Sequence, residues 1–302
     1  MKLLIVLSVL MASGVVVAGD TSVTLSLDED AKAVNVQIAG KPFTVYEYSS
    51  ELPKPFLSPV RGPEGTIISR PIGREGDDHP HHKGIWVAVD EVNEVDFWAE
   101  RGKIQNVSVK ILSAEGDPAR LAVMNHWLDA DGDPVVTEKT NISFYSNRLI
   151  AYDITFVAEE GDVTFRDTKE GLFGFRMVDS MREREGGHVV NADGKHGTTE
   201  CWGQTSDWVD YYGQVDGKTL GITIFDHPEN LRRSRYHVRN YGLFSISPFG
   251  ESAYTGGEQE ASPVTIDKGS ELRLRYAMYV HPGDTESAQV AETYRQYLEG
   301  SR

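Results

Sequence analysis

Apolar and polar residues alternate along most of this chain, as in "VTLSL" from Val23 to Leu27, "KAVNVQIAGKPFTVYEY" from Lys32 to Tyr48, and "NVSVKILSAE" from Asn106 to Glu115. A period of two puts every second side chain on one face of an extended strand, so each stretch predicts a strand with one buried and one wet face. Turn dipeptides punctuate the alternation: Asp131-Gly132 after "LAVMNHWLDA", Asp193-Gly194, and Asp216-Gly217 between "DYYGQV" and "KTLGITIFD". Asp-Gly readily supplies the positive φ angles of tight hairpins. A single stretch reads as helix, "DTESAQVAETYRQYLEG", opening on the capping residues Asp284 and Thr285 and closing at Gly300. Many short strands, regular turns and one terminal helix predict an all-β fold, a large antiparallel β-sandwich with a short C-terminal helix.

The first twenty residues, "MKLLIVLSVLMASGVVVAGD", break the pattern with one early lysine, an apolar run and small residues at Val16 and Ala18. They predict a signal peptide over residues 1–18 and an exported protein, periplasmic or secreted, whose residues 19–302 form a single sandwich domain. The run falls short of the roughly 20 apolar residues of a comfortable spanning helix, so no membrane insertion is expected. Of the 302 residues, 46 are Asp or Glu and 30 are Lys or Arg, a net charge of −16. That balance argues against nucleic acid as a partner, since phosphate contacts need basic side chains. Cys201 stands alone and can form no internal disulfide, which leaves stability to the core. No phosphate-binding or dinucleotide glycine loop, Gly-x-Ser-x-Gly elbow or cysteine-rich zinc pattern occurs, and no cofactor is expected.

Four segments concentrate chemistry. In "EGDDHPHHKGIW", residues 75–86, an extended chain would put His79 and His81 on one side, about 6–7 Å apart, and His82 on the other. Pro80 lacks an N–H and marks a loop running into the apolar strand from Ile85. Imidazoles titrate near neutrality and suit general acid or base work; a metal site would need a ligand from elsewhere, and no metal is expected. In "FRDTKEGLFGFRM", residues 165–177, Lys169 and Glu170 stand at a strand mouth, and Arg176 in an apolar strand requires a buried anion or a ligand. In "ECWGQTSDWVDYYG", residues 200–213, Trp202, Trp208 and Tyr211 are interleaved with carboxylates such as Asp210, a mixture that suits sugars and equally describes core aromatics. In "DHPENLRRSRYHVRNYGLFSISPFG", residues 226–250, Asn230, Arg232, His237 and Arg239 belong to the only basic concentration of an acidic chain, suited to a carboxylate or sulfate.

The stretches "DHPHHKGIWVAVDEVNEVDFW", "DTKEGLFGFRM", "WGQTSDWVDYYG" and "FDHPENLRRSRYHVRNYGLFSISPFG" together resemble the PmoA-like family of exported bacterial proteins. The resemblance implies an all-β fold and an association with bacterial polysaccharide use. By fold-level analogy the sandwich is of the two-sheet supersandwich type seen in sugar mutarotases and some polysaccharide lyases.

The expected function is that of an exported enzyme acting on a carbohydrate by acid–base chemistry: hydrolysis, elimination or epimerisation. One cleft is expected to gather His81, His82, Lys169, Glu170, Asp210 and His237 as catalytic residues. Substrate contacts are expected from His79, Trp98, Arg176, Trp202, Trp208 and Tyr211, and from Asn230, Arg232 and Arg239. The alternatives are a non-catalytic carbohydrate-binding protein, with its aromatics on an open face, and a metal-dependent oxygenase of the kind the family label suggests.

Overall fold

The computed structural model describes residues 22–300, so the expected signal peptide lies outside the described residues. Nineteen strands form two large sheets and one small one, and every strand pairing is antiparallel. The nine-stranded sheet begins with Arg235–Val238, Leu243–Ser247, Phe173–Arg176 and Ile85–Val87, and continues through Phe56–Leu57, Lys41–Glu47, Ala33–Ile38, Val23–Asp28 and Glu115–Gly116. The eight-stranded sheet runs His188–Asn191, Trp208–Val215, Lys218–Asp226, Glu271–Pro282, Leu149–Val157, Pro134–Phe144, Ala119–Leu128 and Lys103–Ser113. Val163–Phe165 and Val264–Ile266 make the small ribbon.

The period-two pattern becomes pairing wherever a turn of the right chemistry follows it. Val215 pairs with Lys218 across Asp216-Gly217, both at positive φ (51° and 76°), the backbone a two-residue hairpin needs. The long alternating stretch from Lys32 is two strands rather than one. Ala39 and Gly40 (φ 50° and 71°) fold Ala33–Ile38 back on Lys41–Glu47. The terminal helix starts later than the sequence predicts, at Val290. Asp284 instead closes a separate turn, its carboxylate accepting from the Ser287 N–H at 2.9 Å, and Gln289 at φ 52° interrupts helical backbone before the helix begins.

Facing side chains of the two large sheets make one continuous core. Phe173 of the nine-stranded sheet meets Tyr152 and Tyr276 of the eight-stranded sheet, with ring centroids at 4.7 and 6.0 Å. A chain of rings, Phe97, Trp127, Phe156, Phe165 and Phe249, continues at 4.5–5.4 Å spacing toward the ribbon. A second cluster covers the outer face of the eight-stranded sheet, where Val290, Tyr294 and Tyr297 of the helix pack on Phe225, Trp208 and Ala277.

A carboxyl sits inside the core. Glu138 is 2 % exposed, accepts from Trp127 Nε1 at 2.9 Å and Thr140 Oγ1 at 2.6 Å, and is pushed above the usual range by burial. Trp127→Phe removes one of these donors while keeping most of the ring volume. It should cost about 1–3 kcal/mol in urea denaturation, the penalty for a buried acceptor deprived of its partner; an unchanged midpoint would show that another donor replaces the indole.

Candidate functional site

Strand register builds the site. His237 pairs with Ser245, Ser245 with Gly174, and Gly174 with Trp86, one row across four strands at the edge of the nine-stranded sheet. Directly opposed residues share a face. Phe173 and Phe175, which alternate with this row, point between the two sheets, so the row lies on the opposite face of its sheet, where Trp86 is buried as well. Trp86 lies across Gly174, where an added Cβ would come within 2.7 Å of the indole.

A loop closes over this face. Residues 71–84 form turns and bends, and the His82 N–H donates to the His79 carbonyl at 3.1 Å. That turn corrects the extended arrangement expected from sequence, in which His82 points away from its neighbours: all three imidazoles come together. Tyr241, His79, His82 and Trp86 stack face to face at 5.3, 4.8 and 5.4 Å, and His81 abuts His82 edge-on at 4.4 Å. Trp98 closes the far side at 5.2 Å from Trp86. Among the described residues no three His, Cys, Asp or Glu side chains are arranged to hold a metal ion.

Ion pairs pin the loop. Arg176, 1 % exposed, reaches Asp78 at 3.5 Å, and the same carboxylate oxygen lies 3.1 Å from buried Arg70. Burial alone would raise Asp78, but His79, Arg176 and Arg70 hold it near 2. Arg176 also lies 3.3 Å from His82 Nδ1. A guanidinium only donates, so Nδ1 accepts and the ring proton sits on Nε2. Burial and neighbouring cations keep His82 neutral and press His81 down to about 4. Beneath, buried Lys54 pairs with Glu100 at 3.0 Å and is brought down to about 8 by burial.

At the other end of the row, His237 Nδ1 lies 3.1 Å from the Lys169 carbonyl and 3.4 Å from Glu170 Oε2. Both partners accept, so Nδ1 carries the hydrogen and Nε2 keeps the lone pair. Burial, then Arg239, presses His237 down to about 3, outweighing the hydrogen bond to the Lys169 carbonyl, which favours the protonated ring. Burial raises Glu170, Lys169 opposes the rise, and Asp90 adds to it; burial and Asp96 push Asp90 itself up to about 6. A depression of about 290 Å³ opens alongside, lined by Trp202, Arg239, Asn240, Val238, Thr198 and Thr199. Trp202 meets the His237 ring at 6.3 Å.

His79, His81, His82, Trp98 and Arg176 thus assemble at one end, and Lys169, Glu170, Trp202, His237 and Arg239 at the other, with Tyr241 between Arg176 (4.8 Å) and Arg239 (5.6 Å). Five expected residues are placed differently. Asp210 is buried in a network with His281 Nε2 (2.9 Å), Thr223 Oγ1 (2.9 Å) and Thr285 Oγ1 (2.6 Å). Trp208 packs under the terminal helix, and Tyr211 is fully buried, its hydroxyl reaching the Arg239 carbonyl at 3.3 Å. Asn230 is spent on Asp226 and the backbone of Arg275, and Arg232 donates to the Ser262 carbonyl. In their place stand Asp78, Asp90, Tyr241 and Ser245, which the sequence reading did not single out. Asp78 adjoined the histidines and Tyr241 the basic stretch; Ser245, alternating with Ser247 in an apolar strand, was the available signal for an outward row.

Residues 33–295 match a family described as "Family of unknown function (DUF6807)", and the chain belongs to that family. This corrects the resemblance to a PmoA-like family, to which nothing in the match links the chain, and removes the support that the label lent to the oxygenase reading. No curated protein matches. Solved structures similar in fold include the Slr1438 protein of Synechocystis sp. PCC 6803 (10 % identity, 86 % of this chain and 96 % of that one, TM-score 0.38). They also include the galactose 1-epimerase of Lactobacillus acidophilus NCFM (6 % identity, 87 % and 98 %, TM-score 0.43) and the heparan sulfate lyase HepC of Pedobacter heparinus (10 % identity, 83 % and 34 %, TM-score 0.36).

Two measurements check this geometry. Asp210→Ala strips buried His281 of its carboxylate and should cost about 3–5 kcal/mol in denaturation, as for a broken buried pair; a wild-type midpoint would place Asp210 outside that role. The second is a pH dependence. The His81 pKa is depressed in the fold relative to about 6.5 unfolded, so the unfolded chain binds the proton first on acidification. The contribution of His81 to stability is present above pH 6.5 and drains away as pH falls toward 4. In His81→Gln the drop in Tm between pH 6.5 and 4 should be smaller than in wild type, and an equal drop would mean the ring is not held neutral.

Proposed function

We propose that this chain is an exported carbohydrate-active enzyme whose proton-transfer centre is the Glu170–His237 pair. The observation that carries the reading is the shared Nδ1 hydrogen of His237, which faces both the Lys169 carbonyl and Glu170 Oε2 and leaves Nε2 as the working lone pair. The carboxylate orients the imidazole and stabilises it when it takes a proton, the logic of an acid–base dyad. Asp90, pushed up to about 6, is a second carboxyl available to hold a proton near neutrality. A sugar is favoured by the adjoining depression, where the Trp202 ring suits a C–H face and the Thr199 and Asn240 side chains suit hydroxyls. Hydrolysis, elimination and epimerisation all draw on such a centre.

A screen of oligosaccharides read for new reducing ends, unsaturated products and anomeric exchange identifies the reaction. On the substrate so found, Glu170→Gln and His237→Ala should each lower turnover by about 10²–10⁴ with little change in Tm, and the double variant should be scarcely worse than either single one. His237 is neutral at any pH well above about 3, so its titration should set no limb of the pH profile between 5 and 8. Full turnover by folded Glu170→Gln would overturn the reading, and saturable sugar binding with no turnover of any substrate would make the chain a binding protein.

A further inference from the structure

In the basic stretch from residue 226 to 250, the arginines other than Arg239 are engaged inside the protein. Arg233 pairs with Asp207 at 2.9 Å and Asp226 at 3.2 Å, Arg235 with Glu251 at 2.8 Å, and Arg232 donates to the Ser262 carbonyl at 3.2 Å. Across the row, Arg176 and Arg70 are met by Asp78. Arg239 differs: among the described residues its guanidinium makes no ion pair or side-chain hydrogen bond, and its recorded contact is the face of Tyr241. Carboxylates are not in short supply, since Asp and Glu exceed Lys and Arg by 16. The cation is left open where it borders the 290 Å³ depression, beside Trp202, whose Nε1 hydrogen is buried without a partner.

The unfilled groups here are donors. Arg239 presents a planar fork of N–H groups, and Trp202 can only donate. A neutral hydroxyl satisfies one such group; a carboxylate satisfies the fork through two oxygens and brings a negative charge into contact, whereas Glu170 acts on Arg239 only from beyond ion-pair distance. Trp202 lines the depression together with Arg239 and meets the His237 ring at 6.3 Å, which brings a ligand anchored at Arg239 toward His237.

We propose that this depression is a carboxylate subsite and that the substrate is an acidic sugar, a uronic acid or a chain containing one, seated with its carboxylate on Arg239 and its ring toward Glu170 and His237. The inference rests on the sugar reading of the same site and names its substrate class. A sulfate ester or a free organic anion offers related chemistry, and the test separates these sources.

Calorimetry on the full chain compares methyl glycosides of glucuronic and galacturonic acid with those of glucose and galactose, and with acetate and inorganic sulfate. At least one uronide should bind 10-fold or more tightly than its neutral counterpart. Arg239→Gln should erase that preference at unchanged Tm, and Arg239→Lys, which keeps the charge without the fork, should retain part of it. No uronide preference anywhere in the panel, or a preference that survives Arg239→Gln, overturns the subsite. Acetate or sulfate binding as tightly as the uronides would show an anion site with no sugar specificity, and also overturns it. Binding is read without turnover, so Glu170→Gln should keep the uronide preference. Loss of turnover in Glu170→Gln without any uronide preference sinks the subsite and spares the acid–base reading; an Arg239-dependent preference in a protein that turns nothing over does the reverse.

Discussion

A guanidinium buried in a sheet is the constraint from which the site follows. Arg176 ends a strand whose neighbouring residues face the core, and at 1 % exposure its charge needs an anion close by. The sheet offers none on that face, where Leu243 pairs with Arg176 and the next row holds Gly174, Ser245, Trp86 and His237. The anion comes from Asp78 on the loop, whose carboxylate stays half exposed at the rim while His79, His81 and His82 fold over the outward face. The four-ring stack is therefore a consequence of charge neutralisation as much as of aromatic attraction, since stacked pairs contribute only about 0.5–1.5 kcal/mol beyond their burial.

Burial then gives the site its electrostatic character. His81, His82 and His237 are pressed toward neutrality, while Asp90 and Glu170 are pressed toward protonation. Every one of these shifts disfavours charge. Neutral imidazoles offer lone pairs beside carboxyls pushed toward protonation, and Asp90, at about 6, is the group poised to exchange a proton near neutrality. The contrast with Asp210 and His281 is instructive: there carboxylate and imidazole are wholly enclosed and held by two threonines, an arrangement that stabilises and has no opening to a ligand.

How far the sequence could be read depended on what each residue's surroundings make visible. Alternation exposed the strands, and Asp216-Gly217 announced its hairpin because both residues tolerate positive φ; Ala39-Gly40 was silent because alanine seldom takes that backbone. Arg176, Glu170 and His237 were legible as polar residues set in or beside apolar strands. Trp208, Asp210 and Tyr211 were misread because Trp208–Val215 is covered on both faces, by the core on one side and by the terminal helix and its neighbouring turns on the other. Alternation distinguishes wet from dry, and along such a strand almost nothing is wet. The ring stack was beyond reach, since it depends on a turn at His79–His82 and on register between strands far apart in sequence.

Gly174 carries a meaning that extends past this one chain. The indole of Trp86 lies flat because position 174 has no side chain, and His82, His79 and Tyr241 then stack upward from that plate. The two positions therefore act as a lock and its key within a family that has no assigned activity. A relative with a glycine aligned to 174 and a tryptophan aligned to 86 has the parts to raise the same column of rings; one with a bulkier residue at 174 keeps the sandwich and must build some other surface on it. Reading that pair divides the family into members to which this chemistry is transferable and members that share only the scaffold.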